Sequence, residues 1–184
     1  MPRLQEKYIK EVRPAMREKF GYKNDLAVPR IEKVIINTGF GRLISGKASD
    51  EQKKISENIV NDLSLITGQK AVPTKAKKSI SAFKIREGMA LGAAVTLRKK
   101  RMYDFLDRLI NIALPRSRDF RGIEQRSVDQ SGNLTVGIKE QIVFPEISTE
   151  KSRFIFGFEA IVVSTAKSQK EGIELFKLMG FPIK

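Results

Sequence analysis

The chain contains neither cysteine nor histidine among its 184 residues. The absence of cysteine excludes disulfide bonds and thiolate metal ligands, and it favours a reducing, cytoplasmic setting. The absence of histidine removes the usual general base near neutral pH, the commonest metal ligand and every Ser-His or Cys-His nucleophile pair. No cluster of carboxylates stands out in their place. We therefore expect no metal, no cofactor, no small-molecule substrate and no enzymatic activity.

Long apolar runs are also missing. No run approaches the roughly 20 residues that a transmembrane helix requires. Residues 1–17 are interrupted by charge every two or three positions and hold no apolar signal-peptide core. We expect a soluble protein with no membrane partner. Because 41% of the residues are hydrophobic, the chain can bury a real core, and its length favours a single domain over residues 1–184.

Positive charge is the most unusual property of the chain. Lysine and arginine number 35 against 21 acidic residues, which leaves a net charge of +14. Such a charge repels itself in the folded state unless a polyanion neutralises it. Nucleic acid is the first candidate partner and an anionic membrane surface the second. A basic protein without a polyanionic partner is the remaining alternative.

Hydrophobic periodicity predicts an α+β fold, with a single mixed sheet packed against helices and a basic protruding loop. Helices are expected over residues 3–19 with a kink near Pro14, from a capping box at Ser49–Gln52 to Gly68, from Met102 to Pro115, and after a second capping box at Ser168 and Glu171. Strands are expected over residues 31–38, 70–75, 90–98 and 159–165, with one bent or two short strands over 134–144. Pro73 cannot donate to a ladder, which favours an edge strand or a bulge.

Most of the charge excess lies in one window, from Lys70 to Arg101. It holds ten basic residues and a single acid, Glu87, a net +9. A solvated helix face shows alternating signs, whereas this stretch is nearly all of one sign across strand ends and a loop. The pattern therefore favours a surface that contacts phosphates, with a merely solvated face as the alternative.

Within that window, residues 75–88 form the predicted basic loop. Hydroxyls at Ser79 and Ser81 can bond phosphate or ribose. Phe83 can stack on a base, or it can anchor the loop to the core together with Ile85, and the sequence leaves both interpretations open.

A second basic stretch lies in a segment predicted to be irregular, residues 116–132. Its arginines carry the planar fork that suits phosphate or an acidic partner protein. Pairing within the chain, with Asp119 and Glu124, is the alternative.

Residues 41–47 match the glycine and lysine spacing of a phosphate-binding loop, and they lie between a predicted strand and a predicted helix. Ala48 stands where a hydroxyl should hold magnesium, and no apolar strand here ends in the aspartate that completes the metal site. We therefore interpret the match as a turn rather than a nucleotide-hydrolysing site.

Seven segments are specific enough to compare with a known family. They are PRIEK at 29–33, TGQK at 67–70, TKAKKSI at 74–80, FKIREG at 83–88, RMYDFLD at 101–107, LPRSRDFRG at 114–122 and GIKEQIVFPE at 137–146. In this order, and through the closing LMGFP at 178–182, the whole chain resembles the bacterial ribosomal protein L5 family.

This resemblance implies a structural protein of the central protuberance that binds 5S rRNA, touches 23S rRNA, contacts peptidyl-site tRNA and bridges to small-subunit protein S13. Carried onto this sequence, the family's 5S rRNA surface falls on Asn37, Gln69 and Thr96, flanked by Lys33, Lys70, Thr74 and Arg98. The tRNA-contacting loop falls on Lys75, Lys77, Lys78, Ser79, Ser81, Lys84 and Arg86. The small-subunit bridge falls on Arg116, Arg118 and Arg121.

Three positions depart from the family's usual pattern. Ser131 stands where relatives commonly carry an arginine, Phe156 occupies a position that is usually basic, and Glu159 changes the entry to the last strand. Two other classes of function remain to be weighed. One is a DNA-architectural or membrane-surface protein held by charge alone, although no helix-turn-helix or zinc signature is present. The other is a nucleotide-using enzyme.

Overall fold

In the computed structural model, the described part of the chain comprises residues 1–118, 120–148 and 154–184. Its strands are β1 Ile31–Gly39, β2 Val72–Lys75, β3 Ala90–Leu97, β4 Leu134–Ile138 and β5 Phe158–Ser164. They form one antiparallel sheet in the order β2-β3-β1-β5-β4. The α+β class with a single sheet is confirmed. The strands are antiparallel where a mixed sheet was expected, because periodicity locates strands without giving their direction.

The described residues also form four long helices. Helix α1 covers residues 3–20, α2 is Ser49–Thr67, α3 covers residues 99–116 and α4 is Gln169–Met179. Within the described ranges, no helix is long and apolar enough to cross a membrane.

Prolines interrupt the regular winding of two helices without ending them. Helix α1 contains a π-helical turn at Tyr8–Val12, and α3 contains one at Leu109–Ala113. Each turn ends two residues before a proline, Pro14 or Pro115. A proline removes a backbone donor and crowds the preceding turn, and a wider π turn accommodates it. Helix α3 therefore continues one residue past the predicted stop at Pro115.

The capping box predicted at the start of α2 is wrong. The N-cap residue is Ala48, and no side chain caps the helix. The side-chain amide of Gln52 donates instead to the carbonyl of Lys47, at 2.8 Å. The motif gives the residue types but not the residue at which helical geometry begins, and here the helix already includes Ser49.

The capping box predicted at α4 is present with one change of partner. The hydroxyl of Ser168 accepts from the backbone N–H of Glu171 at 3.3 Å. The Glu171 carboxylate accepts from the backbone N–H of Lys167 at 2.8 Å, one residue earlier than the motif implies. Gly180 ends the helix with a left-handed φ of 101°.

Residues 134–144 form one short strand followed by a helical turn. Strand β4 ends at Ile138, and Gln141–Val143 is a 3₁₀ turn. The buried Gln141 accepts from the backbone N–H of Phe156 at 2.8 Å and donates to the carbonyl of Phe154. These bonds hold the backbone just before β5, and they bury Phe156 at one of the positions that departs from the family pattern.

The described chain divides into two compact units. The first comprises Met1–Ile35, Leu97–Val136 and Ala160–Lys184, and the second comprises Ile36–Thr96 and Gly137–Glu159. A single domain over residues 1–184 stays a prediction.

The core of the first unit is built from helices α1, α3 and α4. Helix α1 buries residues spaced by four, which are Leu4, Tyr8, Val12 and Met16. In α4 the ring of Phe176 meets Phe181 edge-on, with centroids 5.4 Å apart. Helix α4 also approaches the backbone closely at Gly172, where a Cβ atom would lie 2.5 Å from the Cα of Gly132.

The core of the second unit lies under α2. This helix buries the stripe that its spacing predicted, which is Ile55, Ile59, Leu63 and Ile66. The strands contribute Ile36, Ala93 and Val95 to the buried set, and the rings of Phe144 and Phe158 pack with centroids 5.8 Å apart.

Candidate nucleic-acid interface

Three of the predicted rRNA-binding residues in the second unit lie on the outer face of the sheet. Side chains alternate along a strand, and Ile36 and Val95 point into the core. Asn37 on β1 and Thr96 on β3 therefore point outward, and both are exposed. Thr74 on β2 is paired with Gly92 of β3, which assigns it to the same face as Thr96. The three strands are neighbours in the order β2-β3-β1.

Gln69 is held beside Thr96 by a tight turn after α2. Its side-chain amide donates to the carbonyl of Thr96 at 3.2 Å. The turn is shaped by the buried hydroxyl of Thr67, which lies 2.8 Å from the carbonyl of Leu63 and 2.9 Å from the carbonyl of Gln69. Gly68 takes the left-handed conformation at φ 66° that ends the helix. Lys70, also predicted for this surface, follows the turn and is exposed.

Gly92 on β3 is packed closely by the neighbouring strands β1 and β2. A Cβ atom on Gly92 would lie 2.5 Å from the carbonyl oxygen of Thr38 and 2.7 Å from the hydroxyl oxygen of Thr74. Only glycine fits there without displacing backbone. Gly92 is therefore buried, and its missing side chain lets the backbone of β1 and the hydroxyl of Thr74 approach β3 closely.

Two of the residues predicted to bind RNA are paired with acidic side chains. In the second unit, the amide of Asn37 donates to the carboxylate of Glu159 at 3.2 Å. In the first unit, the guanidinium of Arg98 lies 3.5 Å from the carboxylate of Glu32. Lys33, also in the first unit, is half-buried on β1. Both cation and amide are thus already paired in the free chain.

The predicted basic loop is a closed hairpin. Backbone bonds join Ala76 to Met89 at 2.8 Å and pair Ile80 with Ile85 reciprocally, at 2.9 and 3.1 Å. A 3₁₀ turn at Ser81–Phe83 reverses the chain, and Lys84 adopts a left-handed φ of 52°. The hydroxyl of Ser79 accepts from the backbone N–H of Glu87 at 2.9 Å.

All the cations predicted to contact tRNA are at least partly exposed. These are Lys75, Lys77, Lys78, Lys84 and Arg86. Lys75 belongs to the end of β2, where the pairing with β3 is irregular, and the others belong to the hairpin. Ser81 is also exposed.

Phe83 does not anchor the hairpin through its ring. The side chain is 64% exposed at the tip, so the anchoring interpretation is wrong for this residue. The hairpin is tied down through its backbone instead, because the hydroxyl of Ser45 donates to the carbonyl of Phe83 at 3.2 Å. The aromatic ring is left available for stacking.

The segment that resembled a phosphate-binding loop has a different geometry. Gly41–Ile44 forms one turn of helix rather than an open loop. The ammonium group of Lys47 pairs with the carboxylate of Glu51 one turn along α2. The lysine expected to hold a phosphate is therefore neutralised within the chain, which agrees with the interpretation of the match as a turn.

The arginine-rich segment is fastened to the C-terminal residues of the first unit. Ile123 exchanges backbone bonds with Pro182 and Lys184, at 2.8 and 2.9 Å. Glu124 pairs with Arg126, and Asp119 lies outside the described residues.

The three arginines predicted for the small-subunit bridge share one property. They are exposed, and none of them forms an ion pair with any described residue: Arg116, Arg118 and Arg121. Pairing with Glu124 is thus not observed for them. Ser131, at another departure from the family pattern, is exposed as well.

Sequence reasoning missed the residues that position the site. Thr67 and Ser64 shape the turn before β2, since the hydroxyl of Ser64 accepts from the backbone N–H of Ala71 at 2.9 Å. Hydroxyl residues in the last turn of a helix were the available signal. Glu32 and Glu159 were missed as partners of Arg98 and Asn37 because their contacts join distant parts of the sequence.

Comparisons with known proteins match nearly the whole chain to one family. The family model described as ribosomal protein L5 matches residues 24–86, and a second model, for the C-terminus of the same ribosomal family, matches residues 90–183. The chain is 53% identical to large ribosomal subunit protein uL5 of Syntrophomonas wolfei over 100% of both chains. It is 54% identical to uL5 of Clostridium botulinum strain Hall and 52% identical to uL5 of Clostridium tetani, in each case over 99% of this chain and 98% of the relative.

Proposed function

The chain belongs to the ribosomal protein L5 family and is a structural constituent of the large ribosomal subunit, and we propose that it binds 5S rRNA with the outer face of its sheet. It helps to attach 5S rRNA to 23S rRNA in the central protuberance. It contacts peptidyl-site tRNA through residues 75–88 and bridges to small-subunit protein S13 through residues 116–132. We propose the cytoplasm as its location. The family is generally non-enzymatic.

The observation that carries the proposal is the row of small polar groups on the second unit's sheet face. Asn37, Thr96 and the neighbouring Gln69 present amide and hydroxyl groups there. Double-stranded RNA is recognised mainly by shape and by contacts to 2′-hydroxyls and phosphates. A surface of short polar side chains suits that mode. A protein held by charge alone needs only cations.

The hairpin supports the proposed tRNA contact. Its exposed cations neutralise phosphates, and the exposed ring of Phe83 supplies a stacking surface at the tip. The backbone bonds that close the hairpin hold these groups in one ordered segment.

Free arginines support the proposed bridge to the small subunit. Arg116, Arg118 and Arg121 have planar donor forks that no described residue occupies. Such forks bind carboxylate or phosphate in two-point contacts. They therefore suit either an acidic segment of the partner protein or its RNA.

The test is a binding titration of the full chain with 5S rRNA at near-physiological salt, with duplex DNA as competitor. We expect tight, RNA-selective binding. Replacing Gln69→Ala or Thr96→Val removes a hydrogen-bonding group from the surface, so each should weaken binding by about 1 kcal/mol or more without changing the salt dependence.

Thr135→Val is the matched control for Thr96→Val. Thr135 is also an exposed strand threonine, but it lies on β4, at the opposite edge of the sheet order. Its replacement should leave RNA affinity unchanged. Equal affinity for 5S rRNA and duplex DNA, with no effect of the sheet variants, would instead establish a generic polyanion binder.

A further inference from the structure

A groove of about 740 Å³ lies in the second unit between the basic hairpin and the first turns of α2. One wall comes from Lys84, Arg86 and Glu87, and the other comes from Lys53, Ser56 and Glu57. The Ser45 bond to the backbone of Phe83 holds the hairpin against the segment that leads into α2. The volume lies within the range of sites that bind small ligands or single nucleotides.

Cations without partners face this groove from both walls. Lys53, Lys84 and Arg86 form no ion pair with any described residue, whereas Lys47 at the groove's end is paired with Glu51. Two cations on one wall and one on the other can contact successive phosphates of a nucleic-acid strand between them. These cations then replace the counterions that surround the nucleic-acid backbone in solution.

The remaining lining residues suit ribose rather than bare phosphate. Ser49, Gln52 and Ser56 bring donors and acceptors, and the carboxylate of Glu57 can accept a hydrogen bond from a 2′-hydroxyl. Carboxylates beside a cation cluster disfavour a compact anion of high charge, because they repel it at short range. Met89 and Ala90 add apolar surface against which a base or sugar can pack.

We propose that this groove binds a flexible, single-stranded segment of RNA through its phosphodiester backbone, and that α2 thereby contributes to nucleic-acid binding. The inference deepens the proposed function, on which its physiological setting rests, because it extends the RNA-contacting surface from the hairpin to α2. The match of residues 41–47 to a phosphate-binding loop takes a different meaning: Gly46 and Lys47 line the end of an RNA groove.

The test follows the backbone amide signals of the full chain by NMR during titration with hexauridylate at low salt. We expect the largest shifts at residues that line the groove. Lys53→Ala and Arg86→Ala should each weaken binding at least fivefold.

Lys54→Ala is the control for Lys53→Ala, since Lys54 is an exposed lysine of the same helix that does not line the groove. It should change affinity less than twofold. Equal losses in the Lys53 and Lys54 variants would overturn the inference, because they would reduce it to nonspecific charge.

Glu57→Gln separates a lost site from a misfolded variant. The substitution removes a repulsion, and the glutamine amide oxygen can still accept from a 2′-hydroxyl, so binding of hexauridylate should become at least twofold tighter, which unfolding cannot produce. Unchanged or weaker binding would count against a strand seated beside Glu57.

Inorganic pyrophosphate distinguishes a strand from a free anion. We expect it to bind at least tenfold more weakly than hexauridylate. Binding of pyrophosphate as tight as that of the oligonucleotide, and equally sensitive to Lys53→Ala, would overturn the assignment to a strand. The 5S rRNA titration is independent of these results: if hexauridylate misses the groove while 5S rRNA binds selectively, only the groove inference fails.

Discussion

Glu159 lies against a residue that we assign to RNA recognition, although RNA carries negative charge. Its carboxylate accepts from the amide of Asn37 at 3.2 Å, and Glu159 is half-buried on the outer face of the sheet. The contact orients the Asn37 side chain in the free protein. It also places a negative charge near the proposed path of the RNA phosphates. Glu159 therefore lowers the affinity for RNA while it holds the Asn37 side chain in position for binding.

We expect Glu159→Gln to tighten 5S rRNA binding by about threefold to tenfold, because it removes repulsion on the order of 1 kcal/mol while an amide oxygen still accepts from Asn37. Glu140→Gln is the control, since Glu140 is also half-buried in the second unit but precedes a 3₁₀ turn rather than lying on the sheet. Weaker binding of the Glu159→Gln protein would show that the carboxylate contacts RNA directly.

Gly172 sets the distance between α4 and the turn at Gly132. A Cβ atom at 172 would lie 2.5 Å from the Cα of Gly132 and 2.8 Å from its carbonyl oxygen, and neither backbone atom can move as a side chain does. Alanine favours helix by about 1 kcal/mol over glycine, but overpacking costs about 1–3 kcal/mol or more. Gly172→Ala should therefore lower the free energy of unfolding measured by urea denaturation.

Gly137→Ala provides the comparison for that measurement. Nothing lies within 4 Å of a Cβ atom at 137, and its φ is not left-handed. The free energy of unfolding should stay the same or rise slightly. If both alanine variants were equally stable, the close approach would not constrain α4.

At the scale of elements, the turn after α2 links helix packing to the RNA surface. The helix buries Leu63 and Ile66, its last turn carries the Thr67 hydroxyl, and that hydroxyl shapes the backbone from which Gln69 reaches Thr96. The position of an exposed amide thus depends on a residue that is only 2% exposed.

Thr67→Val keeps the shape of the side chain and removes its hydroxyl. We expect the free energy of unfolding to fall by about 0.5–1.5 kcal/mol. Affinity for 5S rRNA should fall several-fold, because Gln69 loses its fixed position. Thr67→Ser retains the hydroxyl and should restore the affinity. Loss of stability with unchanged affinity would separate the turn from recognition.

Element positions were largely predictable from the sequence, and element partners were not. The stripe from Ile55 to Ile66 and the proline at the edge strand β2 report local geometry, which periodicity and backbone chemistry encode. The pairing of Asn37 with Glu159 joins residues 122 apart, and no local pattern encodes it. The hairpin tip was ambiguous because an exposed aromatic and a buried one have the same sequence signature.

At the scale of the whole molecule, all three tyrosines make the stability of the fold depend on pH in the alkaline range. Burial raises the pKa of Tyr8 and of Tyr103, and burial together with the Glu171 carboxylate raises the pKa of Tyr22 from 10.0 to about 12. The unfolded chain therefore loses these protons first as pH increases. Ionisation of these tyrosines should not affect the free energy of unfolding below about pH 10, and it should lower that free energy between about pH 10 and 12.

Tyrosinate absorbance measures this directly, since the chain contains no tryptophan. The folded protein should ionise its tyrosines later than the urea-unfolded protein. Tyr22→Phe should make the alkaline fall in stability shallower. Coincident titration of the folded and unfolded chains would contradict the expectation.

Net charge governs how the molecule meets RNA. The excess of +14 in the free chain is concentrated in the window from Lys70 to Arg101, and it remains largely unneutralised by the described ion pairs. Cations of this kind bind phosphates and release counterions, so affinity depends steeply on salt. Polar side chains such as Gln69 and Thr96 contribute a part of the affinity that does not depend on salt, and the two contributions can be measured separately.

If about 8 phosphates are contacted, affinity for 5S rRNA should fall roughly 10⁴-fold between 50 and 200 mM salt. Lys70→Ala, at an exposed lysine of the proposed 5S rRNA surface, should reduce the slope of log affinity against log salt by about one. Thr96→Val should lower affinity equally at every salt concentration and leave the slope unchanged. A change of slope in the Thr96→Val protein, or an unchanged slope in the Lys70→Ala protein, would contradict the division of the surface into polar side chains that bind RNA independently of salt and cations that bind its phosphates.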